Sequence, residues 1–120
     1  DVTQTHAFRT MVRNEAFRWV QLLARRRTST LAEISSLSSD EIADQWAGYF
    51  DEHEDVISGP EARGPQHFVY DAETGEVTQT IVDPNEWLEW KATGKVDFDA
   101  SRSQGNAVIE FTGVAPLRRD

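Results

Sequence analysis

Apolar residues recur at helical spacing through the first half of the chain. Within residues 6–27 they share one broad face, because an α-helix advances about 100° per residue. That face contains Phe8, Met11, Val12, Ala16, Trp19, Val20 and Leu23. The pattern predicts a long first helix, His6 to Arg27, around which the core is organised. A frayed lead-in is expected before it, with Thr3 or Thr5 as the N-cap.

Two shorter helices are predicted next, each introduced by a capping box, in which a Ser or Thr is followed three residues later by Glu. The first box runs from Thr30 to Glu33 and the second from Ser38 to Glu41. The second of these helices is expected to end near residues 53–55. The apolar positions are Leu31, Ile34 and Leu37 in the first, and Ile42, Trp46, Tyr49 and Phe50 in the second. Short serine-rich joints indicate that the three helices pack as neighbours.

The apolar period changes to two after a segment at residues 59–65 that contains two Gly and two Pro. Those residues predict irregular structure in the segment. The alternation beyond it predicts four strands, with Gly75 supplying a positive φ in the first hairpin. The polar stretch before the last strand is expected to be a loop, at residues 99–106. The predicted strands cover residues 66–71, 76–82, 87–98 and 107–114.

Helices followed by strands predict an α+β domain, in which three N-terminal helices pack on a curved four-stranded antiparallel meander. The 120 residues suit one domain. Its parts are a helical part (1–58), a Gly/Pro crossover loop (59–65), the sheet (66–115) and a loose tail (116–120). Gly94 and Gly113 lie within strands and predict bends or bulges. The shape is similar to the cystatin-like and NTF2-like class, a likeness of fold and not of function.

Charge is distributed unevenly along this acidic chain, whose formal net charge is −9. Residues 1–30 have a net charge of +4, from six Arg and two acids, whereas residues 31–120 have a net charge of −13. A protein that coats nucleic acid throughout would not be acidic over most of its length. We expect the arginines of the first helix to be neutralised by the domain's own carboxylates, with nucleic-acid binding as the alternative. These arginines are Arg9, Arg13, Arg18, Arg25, Arg26 and Arg27, the last three also serving as a C-terminal cap.

Arg63 is a further interaction candidate, because it lies between Pro60 and the Gly64-Pro65 pair on a loop of restricted φ. A rigidly held guanidinium can bind a carboxylate or a phosphate through two hydrogen bonds. The interpretation that we favour is a structural salt bridge from Arg63 to a nearby acid, which would fix the crossover between helices and sheet.

The four tryptophans provide a second set of candidates for nucleic-acid binding, since aromatic rings stack on bases. Trp19, Trp46 and Trp90 fall on predicted inward stripes, and Trp87 is the least defined. We therefore expect the tryptophans to be core residues.

No catalytic, cofactor or metal chemistry is indicated by the sequence. A Gly-Lys-Ser/Thr phosphate loop and an Asp-Glu-Ala-Asp/His run are both missing, so the chain alone is not expected to hydrolyse ATP. There is also no Gly-x-Ser-x-Gly elbow, and His6, His53 and His67 are scattered. The acidic run at residues 51–55 contains suitable metal ligands, but successive helical residues diverge, so a solvated helix end is expected.

Cellular location is indicated only indirectly. The absence of Cys excludes disulfides and thiolate metal sites and fits a reducing cytoplasm. No apolar run approaches the roughly 18 residues that span a bilayer, so a membrane partner is not expected. Because the chain starts at Asp1 and not at Met, a fragment of a longer protein and a complete protein both remain open.

Several motifs together resemble one family. They are the run Phe8-x-x-Met-Val-Arg-Asn, the run Tyr49-Phe50-Asp51-Glu52-His53, the loop Gly59 to Pro65, and Val96 to Ser101 followed by Gly105-x-Ala107-Val108. They resemble the C-terminal part of the domain of unknown function that follows the motor of actinobacterial DEAD/DEAH-box (Ski2-like) helicases. The resemblance spans nearly the whole chain. It implies an accessory module of an ATP-driven nucleic-acid remodeller and implies no catalytic residues.

Three classes of function therefore stay open. The first is a non-catalytic interaction module that docks onto a helicase motor or another protein through the first helix or the Arg63 loop. The second is a weak RNA- or DNA-binding module that uses the first-helix arginines. The third is a small-molecule pocket or enzyme of the NTF2-like type, lined by Trp90, Tyr70 and a His or Asp. The sequence does not specify whether a bound nucleic acid would be RNA or DNA, and it does not specify the oligomeric state.

Overall fold

Four α-helices and four β-strands make up residues 2–117, the part of the chain that the computed structural model describes. The helices are α1 (His6–Ala24), α2 (Thr28–Ala32), α3 (Ser39–Phe50) and α4 (Phe98–Gln104). The strands are β1 (Phe68–Tyr70), β2 (Glu76–Ile81), β3 (Trp90–Val96) and β4 (Ile109–Pro116). Three short 3₁₀ turns lie at Val2–Gln4, Pro60–Arg63 and Pro65–His67.

Helix α1 begins where the sequence predicts and ends three residues earlier than predicted. The hydroxyl of Thr5 accepts a hydrogen bond from the N–H of Phe8 at 3.0 Å, which confirms Thr5 as the N-cap. At the other end Arg26 has a φ of 58°, which breaks the helical conformation. The predicted frayed lead-in is wrong for residues 2–5, because Thr3 is buried and belongs to a 3₁₀ turn. Asp1 lies outside the described residues.

The two predicted capping boxes have different outcomes. Ser38 accepts from the N–H of Glu41 and the Glu41 side chain accepts from the N–H of Ser38, so the box of α3 is confirmed. The box at Thr30 is wrong, because α2 already begins at Thr28 and its N-cap makes no side-chain hydrogen bond. Helix α3 ends at Phe50, before the predicted 53–55.

Two segments predicted to be irregular contain helical turns. The crossover forms two 3₁₀ turns, each started by a proline, because the fixed φ of Pro suits the first position of a helical turn. The stretch predicted as a polar loop forms α4, which is capped by Asp97 at its start and by Gly105, with a φ of 76°, at its end. The caps at both ends thus stabilise a helix in a polar segment that has no apolar stripe at helical spacing.

The sheet is the predicted antiparallel meander, with strand order β1-β2-β3-β4. The β3 strand starts at Trp90, three residues later than predicted, and β1 is only three residues long. The register between β3 and β4 shifts between Thr93 and Gly94, opposite Gly113, whose φ is 136°. The predicted bulge at these glycines is confirmed. Pro116 belongs to β4, so the tail predicted at 116–120 is wrong there, and residues 118–120 lie outside the described part.

One face of the sheet holds the core and the other is open. Trp19 of α1 packs edge-on against Phe111 of β4, with ring centroids 5.5 Å apart. Trp19, Trp46 and Trp90 are buried, as predicted, whereas Trp87 is exposed. The open face carries Lys and Thr side chains, namely Thr78, Thr80, Lys91, Thr93, Lys95 and Thr112.

The outer edge of β4 is occupied by the helical part. The N–H of Phe111 donates to the carbonyl of Ile34 at 2.8 Å, and the N–H of Val114 donates to the side chain of Gln45 at 2.8 Å. These bonds satisfy edge groups that would otherwise be free to pair with another strand. None of the helices within residues 2–117 has both the length and the apolar character that crossing a membrane requires.

Candidate interaction site: the arginine face

Three arginines lie where α1 meets the crossover and β1, and we call Arg9, Arg13 and Arg63 the arginine face. All three are exposed. A small cleft of about 90 Å³ opens beside Arg9 and Arg13, lined also by His6, Thr10, Pro65 and Phe68. Because the cleft lies near the N-terminus of α1, the helix dipole adds to its positive potential.

Arg9 extends over the aromatic side chains of β1. Its Cζ lies 5.5 Å from the ring centroid of Phe68 and 5.8 Å from that of Tyr70, within the range of cation–π attraction. Its Nη1 also donates to the carbonyl of Tyr70 at 3.4 Å. Burial raises the pKa of the Tyr70 phenol above its ordinary 10.0, while Arg9 opposes the rise. Because the groups that orient Arg9 are neutral, its positive charge can still pair with an anion on another molecule.

Arg63 joins the crossover to α1 without an acidic partner among residues 2–117. Its Nη2 donates to Oδ1 of Asn14 at 2.9 Å, and its Cζ lies 4.9 Å from the ring centroid of Phe17. The salt bridge predicted for Arg63 is therefore wrong, because the group within its reach is an amide. The predicted connection between the crossover and the helices is present, and it leaves the positive charge of Arg63 without an acidic partner in the described part of the chain.

Within residues 2–117, Arg18 is the only arginine of the first helix that forms an ion pair with a carboxylate of the domain. Its Nη1 lies 3.3 Å from Oε2 of Glu15. Arg9 and Arg13 have no carboxylate within ion-pair distance in residues 2–117, so the neutralisation predicted for them is wrong. The physical reason is that their neighbours in the crossover and β1 are neutral side chains, although the chain as a whole is acidic.

The cluster at the end of α1 has structural contacts of its own. The Nη1 of Arg26 donates to the carbonyl of Ala24 at 3.1 Å, and its Cζ lies 3.9 Å from the ring centroid of Phe50. Arg25 is the C-cap of α1, and Arg27 is the N-cap of α2. The C-terminal cap predicted for this cluster is therefore found at Arg26, whose side chain bonds the last carbonyl of α1, and is wrong for Arg27, which lies at the start of α2 and makes no side-chain capping bond.

The chemistry of the arginine face suits anionic groups. A guanidinium presents several N–H donors in a planar fork, which matches a carboxylate or a phosphate. The three guanidinium groups of the arginine face have no counter-ion within the described residues. Anionic groups on another molecule can therefore stabilise them. Among residues 2–117, no group of three or more His, Asp or Glu side chains is placed to hold a metal ion.

A family model described as "Domain of unknown function (DUF3516)" matches residues 2–114. The chain belongs to this family. A search of curated proteins and a search of solved structures each found no match. The matched residues run from the first 3₁₀ turn into β4, so the arginine face is part of the DUF3516 domain.

The DUF3516 domain also contains a buried pair that the sequence analysis missed. The side chain of His53 is fully buried, and its Nδ1 lies 3.7 Å from Oδ2 of Asp83, which is itself buried. The solvated helix end predicted at residues 51–55 is therefore wrong for His53. Two signals point to the pair: the Asp-Pro-Asn turn at Asp83, and the placement of His53 four residues after the core residue Tyr49.

Backbone groups hold the Asp83 carboxylate ionised. Its Oδ2 accepts from the N–H groups of Asn85 and Trp87, at 3.1 and 3.0 Å, and its Oδ1 accepts from Leu88 at 2.9 Å. Burial would raise the pKa of Asp83, but the backbone hydrogen bonds and the nearby His53 outweigh burial and hold it below the ordinary 3.8. The carboxylate thus organises the loop between β2 and β3.

Proposed function

We propose that this chain is a non-catalytic interaction module that docks onto an acidic surface of a partner protein through the arginine face. The observation that carries the proposal is that Arg9, Arg13 and Arg63 are exposed and have no carboxylate within ion-pair distance in residues 2–117. Charged groups of this kind steer association and select partners by complementary potential. An acidic partner surface would supply the counter-ions that residues 2–117 do not.

The partner that we propose is the motor of a DEAD/DEAH-box helicase of the actinobacterial type, in the cytoplasm. Support comes from the motifs that resemble the domain of unknown function following such motors, and the family match agrees with that resemblance only in being a domain of unknown function. The module would act by positioning the motor or its partners, since none of its motifs supplies the chemistry of ATP hydrolysis.

Nucleic-acid binding is the second candidate, because a guanidinium binds a phosphate as readily as a carboxylate. Two observations favour the acidic protein. Phe68 and Tyr70, which flank Arg9, are buried and offer no exposed ring for base stacking. The remainder of the chain is strongly acidic, and it repels a nucleic acid, which is negative along its whole length, more than a protein that has one acidic patch.

The pocket or enzyme class is not supported at the residues predicted for it. Trp90 and Tyr70, the residues predicted to line a cavity, are 7% exposed and belong to the core. Helical side chains fill the sheet face that such a cavity would need, with Phe8 against Tyr70 and Tyr49 against Trp90.

Calorimetric titration of the chain with the isolated helicase motor tests the proposal. The double charge reversal R9E/R13E is compared with K91E/K95E, which makes the same change in net charge on the open sheet face. We expect R9E/R13E to weaken binding at least about tenfold, because it places like charges opposite each other, and K91E/K95E to leave it nearly unchanged.

A single-stranded RNA oligonucleotide is titrated in parallel. Steeply salt-dependent RNA binding that R9E/R13E abolishes, with no binding of the motor, would replace the proposal by the nucleic-acid alternative. Equal losses of motor binding in both double variants would show that net charge, and not the arginine face, controls association.

A further inference from the structure

An exposed tryptophan stands on the strained loop between β2 and β3. Trp87 exposes 57% of its surface. The residues on both sides of it, Glu86 and Leu88, each have a φ of 57°, which is uncommon for residues other than glycine. The three backbone hydrogen bonds to the Asp83 carboxylate hold the loop in this conformation. Trp87 is thus presented to solvent by a preorganised segment.

A buried histidine with unused hydrogen-bonding groups lies beneath Trp87. The ring centroids of His53 and Trp87 are 5.2 Å apart, with the ring planes at 71°. Neither ring nitrogen of His53 has a hydrogen-bond partner in the part of the chain described, although the side chain is fully buried. Buried polar atoms without hydrogen-bond partners are rare in folded proteins, so the two ring nitrogens of His53 need an explanation.

Two carboxylates face the ring of His53. Its Nδ1 faces the ionised carboxylate of Asp83 at 3.7 Å, and its Nε2 faces Oε1 of Glu52 at 3.9 Å. The Asp83 carboxylate is the more deeply buried of the two, and the Glu52 side chain lies on the solvent side. The Glu52 carboxylate has room to accept further hydrogen bonds, so a donor from another molecule can bind it.

Glu52 is oriented and half exposed. Its Oε1 accepts a hydrogen bond from Nε1 of Trp90 at 3.0 Å, and its side chain is 52% exposed. No Lys or Arg within residues 2–117 lies at ion-pair distance from it. Glu86 and Glu89 are exposed on the same loop as Trp87 and add negative charge within about one Debye length.

We propose that Trp87, Glu52 and His53 form a binding site for an Arg or Lys side chain on a basic segment of a second protein. The indole face attracts the cation, the Glu52 carboxylate neutralises it, and the buried His53 ring, which contacts both, supports them from beneath. Nucleic acid does not fit, because the site is acidic. This site has the opposite preference to the arginine face and is independent of it.

Titration with a hexa-arginine peptide, followed by the indole N–H signals of the ¹⁵N-labelled chain, tests the site. The Trp87 signal is identified as the one lost in Trp87→Phe. We expect saturable movement of this signal with hexa-arginine and none with hexa-glutamate. Trp87→Ala and Glu52→Gln should each weaken hexa-arginine binding about threefold or more, which is the range for an exposed cation–π or charge contact.

Matched controls separate the site from general charge and apolar exposure. Val69→Ala removes a comparably exposed apolar side chain, and Glu73→Gln neutralises an exposed acid in the first hairpin. Both should bind hexa-arginine as the parent does, and in R9E/R13E hexa-arginine should still move the Trp87 signal, which makes this readout independent of the arginine face. Glutamine at position 52 keeps an acceptor for Trp90, so thermal melting should show Glu52→Gln folded.

Two results would overturn the proposal. One is a hexa-arginine affinity in Trp87→Ala equal to that in Val69→Ala, which would make the binding unspecific. The other is movement of the Trp87 signal with protein concentration alone that R9E/R13E removes, which would assign the site to the arginine face of a second copy.

Discussion

The indole of Trp19 occupies the space that a side chain at Gly94 would need. A Cβ atom built on Gly94 would lie 2.8 Å from Cζ2 of Trp19 and 2.8 Å from the carbonyl oxygen of Glu110, separations that real Cβ atoms essentially never show. Gly94 also lies at the bulge between β3 and β4. The close packing of α1 on the sheet therefore depends on the missing side chain at this position.

We predict that Gly94→Ala lowers the free energy of unfolding in urea by about 3 kcal/mol, because overpacking a filled core forces its neighbours to move. Gly105→Ala serves as a control. Nothing lies within 4 Å of its Cβ position, and it should lose only about 1 kcal/mol to its positive φ.

The cost of Gly94→Ala should fall in a Trp19→Phe background, where the smaller ring leaves room for the added methyl group. Equal costs of Gly94→Ala in the two backgrounds would show that the Glu110 carbonyl, and not the indole, sets the limit.

The parts of the fold that sequence patterns predicted are those in which a periodicity and a cap agree. The apolar face and Thr5 predicted α1, the alternation predicted the meander, and Gly75 and Gly94 marked the hairpin and the bulge. The sequence pattern did not predict helix α4, because only Ser101 of its seven residues is buried and the helix has no apolar stripe.

Charge partners were the least predictable part of the candidate sites. The net charge of each segment favoured neutralisation of the arginines, but a net charge does not say which side chains are neighbours in the fold. The neighbours of Arg9 and Arg63 are aromatic and amide groups. The site around His53 and Asp83 joins residues 30 positions apart, through a loop whose conformation depends on one buried carboxylate. A pattern confined to neighbouring residues does not carry that information.

The Asp83 carboxylate should make stability depend on acid pH. Its pKa in the folded state lies below the ordinary 3.8 of an unfolded chain, so at acid pH the unfolded state binds more protons. The stabilisation is therefore complete above pH 3.8 and is lost as the pH falls through the folded-state pKa. Urea unfolding at a series of acid pH values should show this decline in the parent and a flatter profile in Asp83→Asn.

At neutral pH we expect Asp83→Asn to cost about 2 kcal/mol, because an amide cannot accept hydrogen bonds at both of its ends. Asp71→Asn is the matched control. Its two backbone hydrogen bonds, from Glu73 and Thr74, both go to Oδ1, an acceptor that Asn retains. A similar loss in the two variants would contradict the role given to the Asp83 carboxylate.

The contact between Asn14 and Arg63 should appear as a coupling energy. We expect the cycle Asn14→Ala, Arg63→Ala and the double variant to give about 1 kcal/mol of interaction in urea unfolding, the usual value for an exposed hydrogen bond to a charged group. Arg63→Lys should recover only part of it, because Lys lacks the planar fork that both reaches the amide and lies on the Phe17 ring. Zero coupling would mean that the hydrogen bond between Arg63 and Asn14 does not stabilise the fold.

The two capping boxes that look alike in sequence should respond differently to the same kind of substitution. Ser38→Ala removes the hydroxyl that accepts from Glu41 at the start of α3, and we expect a loss of about 1 kcal/mol in the free energy of unfolding. Thr30→Ala truncates the hydroxyl of the other motif, which lies inside α2 and past its first residue, so its cost should stay within about 0.5 kcal/mol.

Parallel urea unfolding of the two variants measures the difference directly. The comparison is sharp because Thr30 and Ser38 share the same spacing to a Glu, so that only the observed start of each helix separates them. Equal losses in Ser38→Ala and Thr30→Ala would mean that the Thr30 hydroxyl caps a helix start, contrary to a helix α2 that already begins at Thr28.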